Sequence, residues 1–212
     1  VQDRIGSNRH MWPFGKKKVR KAPQQVPKSL VAASSPVDIK HQAVREAISA
    51  LGLIKPEAED TIFRFLEDKM ETHPQQTVAG YRKGGEQISK EVKKALGLRS
   101  NAFLSCSAYE ELTEAGCAMP LKAHETVLLR ATFTYMRYRS LQSIRASDLV
   151  GNKAFRGMKY DILNMHCPVC GPLDGKTIPL EEATIFPLEG CTCETANWGY
   201  QPDIDFLTCW NE

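Results

Sequence analysis

The stretch HCPVCGPLDGKTIPL, residues 166–180, opens with two cysteines separated by two residues, and GCTC at residues 190–193 supplies a second pair. The four cysteines are Cys167, Cys170, Cys191 and Cys193. A C-x2-C pair followed by a glycine, here Gly171, can present two thiolates to one metal ion from a tight turn. Four thiolates complete a tetrahedral site, for which Zn²⁺ is the usual occupant. We therefore predict a closed, structural zinc site formed by these side chains.

Two other uses of the cysteines compete with zinc binding. A redox C-x2-C pair normally begins a helix, whereas Gly171-Pro172 follows Cys170 directly and disfavours a helix there. Two disulfides would need an oxidising compartment, and no secretory signal pattern is visible in the chain. We expect zinc rather than either alternative. His166, next to Cys167, could replace one of the cysteines as a ligand, but is expected instead to neighbour a ligand sulfur or to face solvent.

The residues around the first cysteine pair predict short strands at 159–163 and 176–178, with a turn at 173–176. The turn sequence is Leu-Asp-Gly-Lys, and Asp-Gly favours a type I′ hairpin turn, which needs positive φ at both central positions. The segment has few apolar residues, so it needs a metal or disulfides to stay folded. We predict a small, zinc-stapled β-hairpin module at 148–212.

Apolar residues recur at helical spacing over residues 37–147, which predicts four or five helices around one core. The first of these helices is expected to be capped by Asp38, and the fourth by Ser100 or Asn101. The fold class predicted from the whole sequence is therefore α+β. A mainly helical domain at 37–147 precedes the cysteine-rich module.

The longest predicted helix spans residues 121–146 and has two features that bear on function. Its apolar period predicts a buried stripe of Leu129, Phe133, Met136 and Ile144. It also carries four arginines, Arg130, Arg137, Arg139 and Arg145. A solvated basic face is the simplest interpretation of these arginines. The alternatives are an anion-binding face, or a docking site for the acidic C-terminal module of the same or a neighbouring chain.

Charge is distributed unevenly along the chain. Residues 1–30 contain eight basic residues and one acidic residue, whereas residues 159–212 contain two basic and nine acidic residues. Prolines and the lack of periodicity predict a leader and disordered basic tail at 1–36, of which residues 11–30 could bind nucleic acid. The acidic module should repel phosphates. Three of its aromatic residues are therefore assigned to its core or to a protein-facing patch: Trp198, Tyr200 and Trp210.

The sequence also bears on location and on enzyme activity. No apolar run approaches the ~20 residues of a membrane-spanning helix, so we predict no transmembrane segment and a cytoplasmic location. Three further cysteines, Cys106, Cys117 and Cys209, stand alone without a catalytic signature. A structural or interaction protein is therefore favoured. The alternatives are a nucleic-acid-associated protein that uses its basic tail, and a toxin or enzyme that carries the zinc module as an accessory.

The C-terminal motif resembles that of the Mu F-like minor head proteins of tailed phages, a head morphogenesis family. The shared elements are the C-x2-C pair, Leu-Asp-Gly-Lys at 173–176, Pro187 and the closing C-x-C. Glu189 and Thr192 stand roughly where the family usually has a histidine and an arginine. The resemblance covers only the cysteine-rich module. It implies a phage or prophage minor capsid component that contacts the portal or major capsid protein, in an infected bacterial cell or in the virion.

Overall fold

The computed structural model describes residues 35–67, 69–70 and 74–207. The leader and the basic tail predicted at 1–36 lie outside this part, apart from the last two residues. The described helices are α1 (Pro36–Leu51), α2 (Glu59–Glu67), α3 (Pro74–Lys83), α4 (Lys90–Ala95), α5 (Cys106–Glu110), α6 (Glu114–Cys117) and α7 (Pro120–Arg145). The described strands are β1 (Phe155–Ile162), β2 (Thr177–Ile178) and β3 (Trp198–Ile204). The predicted α+β class, with helices preceding a small sheet, is confirmed.

Helix α1 begins one turn before the predicted cap. Ser35 is the cap: its hydroxyl accepts a hydrogen bond from the Asp38 N–H at 3.2 Å, and the Asp38 carboxylate accepts one from the Ser35 N–H at 3.1 Å. Asp38 is therefore the third helical residue and completes a capping box, which explains why an acidic side chain occurs there. The helix ends at Gly52, which adopts a φ of +61° that other residues rarely tolerate.

The single helix predicted from Ser100 or Asn101 is wrong. Two short helices, α5 and α6, occupy this part of the chain, and their caps are Ser105 and Thr113. The Thr113 hydroxyl also donates a hydrogen bond to the carbonyl of Gly52 at 2.7 Å. This contact with the end of α1 holds the chain between α5 and α6, so the helix cannot continue through it.

The buried side of α7 differs from the predicted stripe. Leu129, Phe133 and Ile144 are only half-buried, and Met136 is 47% exposed. The residues buried instead are Ala123, His124, Thr126, Val127, Leu128, Arg130, Ala131, Thr132, Thr134, Tyr135, Arg137, Tyr138 and Leu141. Helix α7 packs against α1 and α3 and also contacts β3. Because this burial includes hydroxyl and guanidinium groups, the apolar period alone could not identify the core-facing side.

The three strands form an antiparallel sheet in the order β2-β1-β3. Gly175 has a φ of +70° and Asp174 has a φ of −51°, so the Asp-Gly turn is type II rather than the predicted type I′. The turn also does not join β1 directly to β2, because the first cysteine pair lies between β1 and the turn. Strand β3 was not predicted, although it forms the longer pairing with β1.

The sheet and the helices share one hydrophobic core. Met158 and Trp198 of the sheet belong to the same cluster of buried residues as Val44 of α1 and Val127 of α7. The cysteine-rich segment therefore does not have to form a core by itself. Within the described residues, no helix has the length and apolar character needed to span a membrane.

Candidate metal centre

The structure brings the sulfurs of the two cysteine pairs together. All four Sγ atoms lie within 4.8 Å of one another. Cys191 Sγ lies 3.2 Å from Cys170 Sγ and 3.9 Å from Cys167 Sγ. Four sulfurs at about 2.3 Å from a zinc ion would be about 3.8 Å apart, the edge of a tetrahedron of that size. The four cysteines are thus positioned to hold one metal ion.

The first pair is held by a tight turn of the backbone. The Gly171 N–H donates to the Cys167 carbonyl at 2.9 Å, and the Cys170 N–H points at Cys167 Sγ at 3.4 Å. A Cβ at position 171 would lie 2.4 Å from the Met165 carbonyl oxygen, a contact that no side chain permits. Glycine after the second cysteine is therefore required for the turn that aligns the two thiols.

Two polar side chains contact the sulfurs from outside the turn. Asn164 Nδ2 donates to Cys193 Sγ at 3.5 Å, and the Thr192 hydroxyl donates to Cys167 Sγ at 3.7 Å. Asn164 also accepts, through Oδ1, a hydrogen bond from the His166 N–H at 3.2 Å. His166 itself is exposed. Asn164 could not be predicted from local sequence, because its contact with Cys193 spans 29 positions of the chain.

The cysteines differ in their readiness to ionise. Burial raises the pKa of the Cys167 thiol, but hydrogen bonds from the N–H groups of Cys170, Thr192 and Val169 and from the Thr192 hydroxyl outweigh it and lower the pKa to about 5. Burial and the neighbouring Cys167 and Cys191 raise the pKa of Cys193 to about 12. Burial, reinforced by Cys191, also raises the pKa of Cys170. The lowered pKa favours the thiolate of Cys167 at neutral pH, whereas Cys170 and Cys193 need a nearby cation to ionise.

The local geometry differs from that of the two competing uses of cysteine. The four thiols are free, and the distance of 3.2 Å between Cys170 Sγ and Cys191 Sγ far exceeds the length of about 2.05 Å of a disulfide bond. Cys170 is followed by a three-residue 3₁₀ turn, Gly171–Leu173, and not by the α-helix that begins at a redox C-x2-C pair. The arrangement is that of a metal-binding turn.

Arg130 is buried, so a solvated position is wrong for this residue. Its Nε and Nη2 groups donate to the Glu46 carboxylate of α1 at 3.0 and 2.6 Å. Its Nη1 group donates to the carbonyls of Cys193 at 2.8 Å and Glu194 at 3.2 Å. One guanidinium thus connects helix α1, helix α7 and the loop that carries the second cysteine pair.

Arg137, one of the four arginines considered for a solvated face, is 3% exposed, so that interpretation is wrong here too. Its Nε group donates to the Ile185 carbonyl at 2.6 Å. Its Nη1 group donates to the carbonyls of Ala196 at 2.7 Å and Trp198 at 3.1 Å. The guanidinium also stacks on the Trp198 ring, 4.3 Å from the centroid. Burial lowers the pKa of Arg137 to about 10, which leaves the side chain charged at neutral pH.

The alternative, docking of the C-terminal module on α7 of the same chain, describes Arg130 and Arg137 correctly. The contacts are made with backbone carbonyls, however, and not with the acidic side chains that suggested docking. Arg139 is exposed and Arg145 is half-buried. Trp198 and Tyr200 are buried in the shared core, whereas Trp210 lies outside the described residues.

A second polar cluster lies inside the helical part of the chain. His124 is fully buried, and its Nε2 atom lies 3.3 Å from the Glu111 carboxylate, which also accepts a hydrogen bond from the Tyr81 hydroxyl at 2.6 Å. Burial, followed by Glu111, raises the pKa of Tyr81. Because His124 has no exposed surface, the cluster ties α3, α7 and the connection before α6 together and presents no open catalytic site.

No protein-family model, curated protein or solved structure matches this chain. The residues of the chain itself therefore supply the evidence for its function. The feature with definite chemistry is the cluster of four cysteine sulfurs.

Proposed function

We propose that the four cysteines hold a structural Zn²⁺ ion and that the chain is a structural or interaction protein. The observation that carries this proposal is the convergence of four Sγ atoms within 4.8 Å of one another. Soft thiolates in a tetrahedral set favour Zn²⁺ among the common divalent cations. Four protein ligands leave no open position for substrate, so the ion stabilises the fold. Metal binding in small sites of this kind contributes on the order of 10 kcal/mol.

Metal analysis of the purified protein tests this proposal. Native mass spectrometry and elemental analysis should find one zinc ion per chain, retained through gel filtration. Cys170→Ser should lose the metal. Cys106→Ser is the matched control, because Cys106 is a half-buried free thiol outside the cluster. Iron in place of zinc, or wild-type protein that binds no metal after reconstitution, would contradict the proposal.

For the biological setting we propose a minor head protein of a phage or prophage that binds the portal or major capsid protein. The resemblance of the cysteine-rich motif supports this setting. A surface groove of about 270 Å³, whose lining includes Phe133, Met136 and Leu163, supports a protein partner. Leu163 is 68% exposed, and an apolar side chain of the partner would remove it from water. Synthesis in the bacterial cytoplasm and incorporation into the virion follow from this proposal.

Co-expression with the portal and major capsid proteins encoded in the same genome tests the setting. The chain should co-elute with one of them in gel filtration, and Met136→Glu should abolish the complex. Met119→Glu is the control, because Met119 is an exposed methionine at the start of α7, outside the groove lining. Absence of a complex with either protein, or equal binding by both variants, would contradict it.

No observation on the described residues supports either of the two alternative functions. The nucleic-acid alternative depends on residues 11–30, which lie outside the described part of the chain. The toxin or enzyme alternative needs an accessible active site, and the buried His124 cluster does not provide one. The structural proposal therefore stands without a second candidate.

A further inference from the structure

We propose that Glu46 and Arg130 are positioning residues of the metal centre, so that the helical part of the chain sets the metal affinity of the cysteine cluster. This inference rests on the proposed metal binding. It assigns a role to two residues that lie far from the cysteine motif in the sequence. Neither of them contacts a cysteine sulfur in the described hydrogen bonds, so they act through the backbone of a ligand.

Glu46 fixes the orientation of the Arg130 side chain. Its guanidinium is held by two parallel hydrogen bonds to the Glu46 carboxylate, which fix the plane of the group. The remaining Nη1 group then points at the Cys193 carbonyl, 2.8 Å away. The Arg130 side chain is 6% exposed, so water cannot readily replace either partner. Glu46 is thus what aims Arg130 at the metal-ligand loop.

The loop that receives this contact is irregular and is held by side chains of other elements, among them Lys122 of α7, whose Nζ lies 2.8 Å from the Glu194 carboxylate. Residues 183–197, between the 3₁₀ turn that follows β2 and the start of β3, form neither helix nor strand. Cys193 is held by Asn164 at its sulfur and by Arg130 at its carbonyl. Arg137 holds the Ala196 carbonyl further along the loop. The position of the Cys193 thiol before metal binding therefore depends on the arginines of α7.

Preorganisation links this geometry to affinity. A loop already held in its bound conformation loses less conformational freedom when the metal binds, so the metal binds more tightly. Without Glu46, Arg130 would lose its fixed orientation, and the Cys193 loop would occupy a wider range of positions in the metal-free protein. The linkage is reciprocal: bound metal should stabilise the contact between α1 and α7 by the same factor by which that contact strengthens metal binding.

A purely structural ion pair makes a different prediction. If Glu46 and Arg130 only joined α1 to α7, their loss would destabilise the metal-free and zinc-loaded proteins equally. The zinc dissociation constant would then be unchanged. A positioning role instead raises the dissociation constant and reduces the stabilisation that zinc provides.

Glu46→Gln is the direct test, with Glu59→Gln as its matched control. Glu59 accepts a similar pair of hydrogen bonds from Arg45, at 3.0 and 2.8 Å, and its side chain is 21% exposed compared with 24% for Glu46. Zinc affinity is measured at constant pH by competition with a chromophoric chelator. We expect a roughly tenfold weaker affinity for Glu46→Gln, the lower end for residues that support metal ligands. Glu59→Gln should bind zinc as wild type does.

A second measurement and a second variant distinguish a positioning role from a purely structural one. Urea unfolding of each variant, with and without zinc, should show a smaller zinc-induced stabilisation for Glu46→Gln only. If Glu46→Gln does not fold, Arg130→Lys replaces it, since a lysine keeps the charge but cannot contact Glu46 and Cys193 with a planar fork. An unchanged dissociation constant in the folded variant overturns the positioning role. Wild-type protein that binds no zinc overturns the proposed function instead, so the two failures are distinguishable.

Discussion

Replacement of Arg137 by methionine should destabilise the zinc-loaded protein strongly. Methionine keeps an unbranched apolar stem of similar length in the site but has no hydrogen-bond donor. The change removes a hydrogen-bond donor from the carbonyls of three residues, Ile185, Ala196 and Trp198. These carbonyls lie between the 3₁₀ turn that follows β2 and the start of β3. We expect the free energy of unfolding to fall by about 2–4 kcal/mol.

That magnitude follows from opposing contributions. The Ala196 carbonyl keeps a hydrogen bond from the Trp198 N–H at 3.0 Å. Each buried carbonyl left without a donor costs about 1–3 kcal/mol, so the Ile185 and Trp198 carbonyls set an upper range of about 2–6 kcal/mol. Loss of the stacking of Arg137 on Trp198, 4.3 Å from the ring centroid, adds roughly 1–2 kcal/mol. Burial of the charged guanidinium costs the wild-type protein several kcal/mol of desolvation. The methionine variant has no such cost, so this contribution opposes the loss. The net loss is therefore well below the sum of the individual contacts.

Urea unfolding of the zinc-loaded protein, followed by circular dichroism and tryptophan fluorescence, measures the loss. Arg139→Met is the matched control on the same helix; because Arg139 is exposed, it should stay within about 0.5 kcal/mol of wild type. A loss below about 1 kcal/mol for Arg137→Met would refute the assignment of this arginine as the support of the loop. An equal loss for both variants would show that helix propensity, and not the carbonyl contacts, decides the result.

Two other predictions concern the metal centre itself. Gly171→Ala should weaken zinc binding by at least about tenfold in chelator competition, because its Cβ would lie 2.4 Å from the Met165 carbonyl oxygen. Gly151→Ala is the control: there is open space around its Cβ, so it should bind zinc as wild type does. Metal binding at neutral pH should release at least about two protons per ion, since the Cys170 and Cys193 thiols have raised pKa values, so affinity should increase as the pH rises from 6 to 8. Calorimetry in buffers of different ionisation enthalpy counts these protons, and affinity independent of pH would contradict this assignment of protonation states.

The cluster of four cysteines could be predicted from sequence because its determinants are local. Cys167, Cys170 and Gly171 define one tight turn, and the second pair is separated by a single residue. The α+β class followed for a similar reason, since helical periodicity and its loss at the C-terminal end are visible in short windows. Gly52 likewise ends α1 as its left-handed conformation requires.

The features that were missed depend on distant partners. Arg130 and Arg137 are indistinguishable in sequence from exposed helix arginines. The groups that make their burial favourable, the Glu46 carboxylate and carbonyls of the C-terminal loop, lie about 48 to 84 positions away. These arginines occupy the side of α7 that faces the sheet. The apolar period of the helix therefore predicts the wrong side as buried, the one that contains Met136. The sequence does not predict strand β3, because Pro202 interrupts its pattern. An edge strand such as β3 nevertheless tolerates proline.

X-ray absorption at the zinc edge of the purified protein tests the central claim most directly. The account predicts one zinc ion with four sulfur neighbours at about 2.3 Å and no nitrogen or oxygen neighbour. A shell with nitrogen or oxygen in place of one or more sulfurs would contradict a closed four-cysteine site. Absence of bound zinc would remove the metal centre on which the proposed function rests.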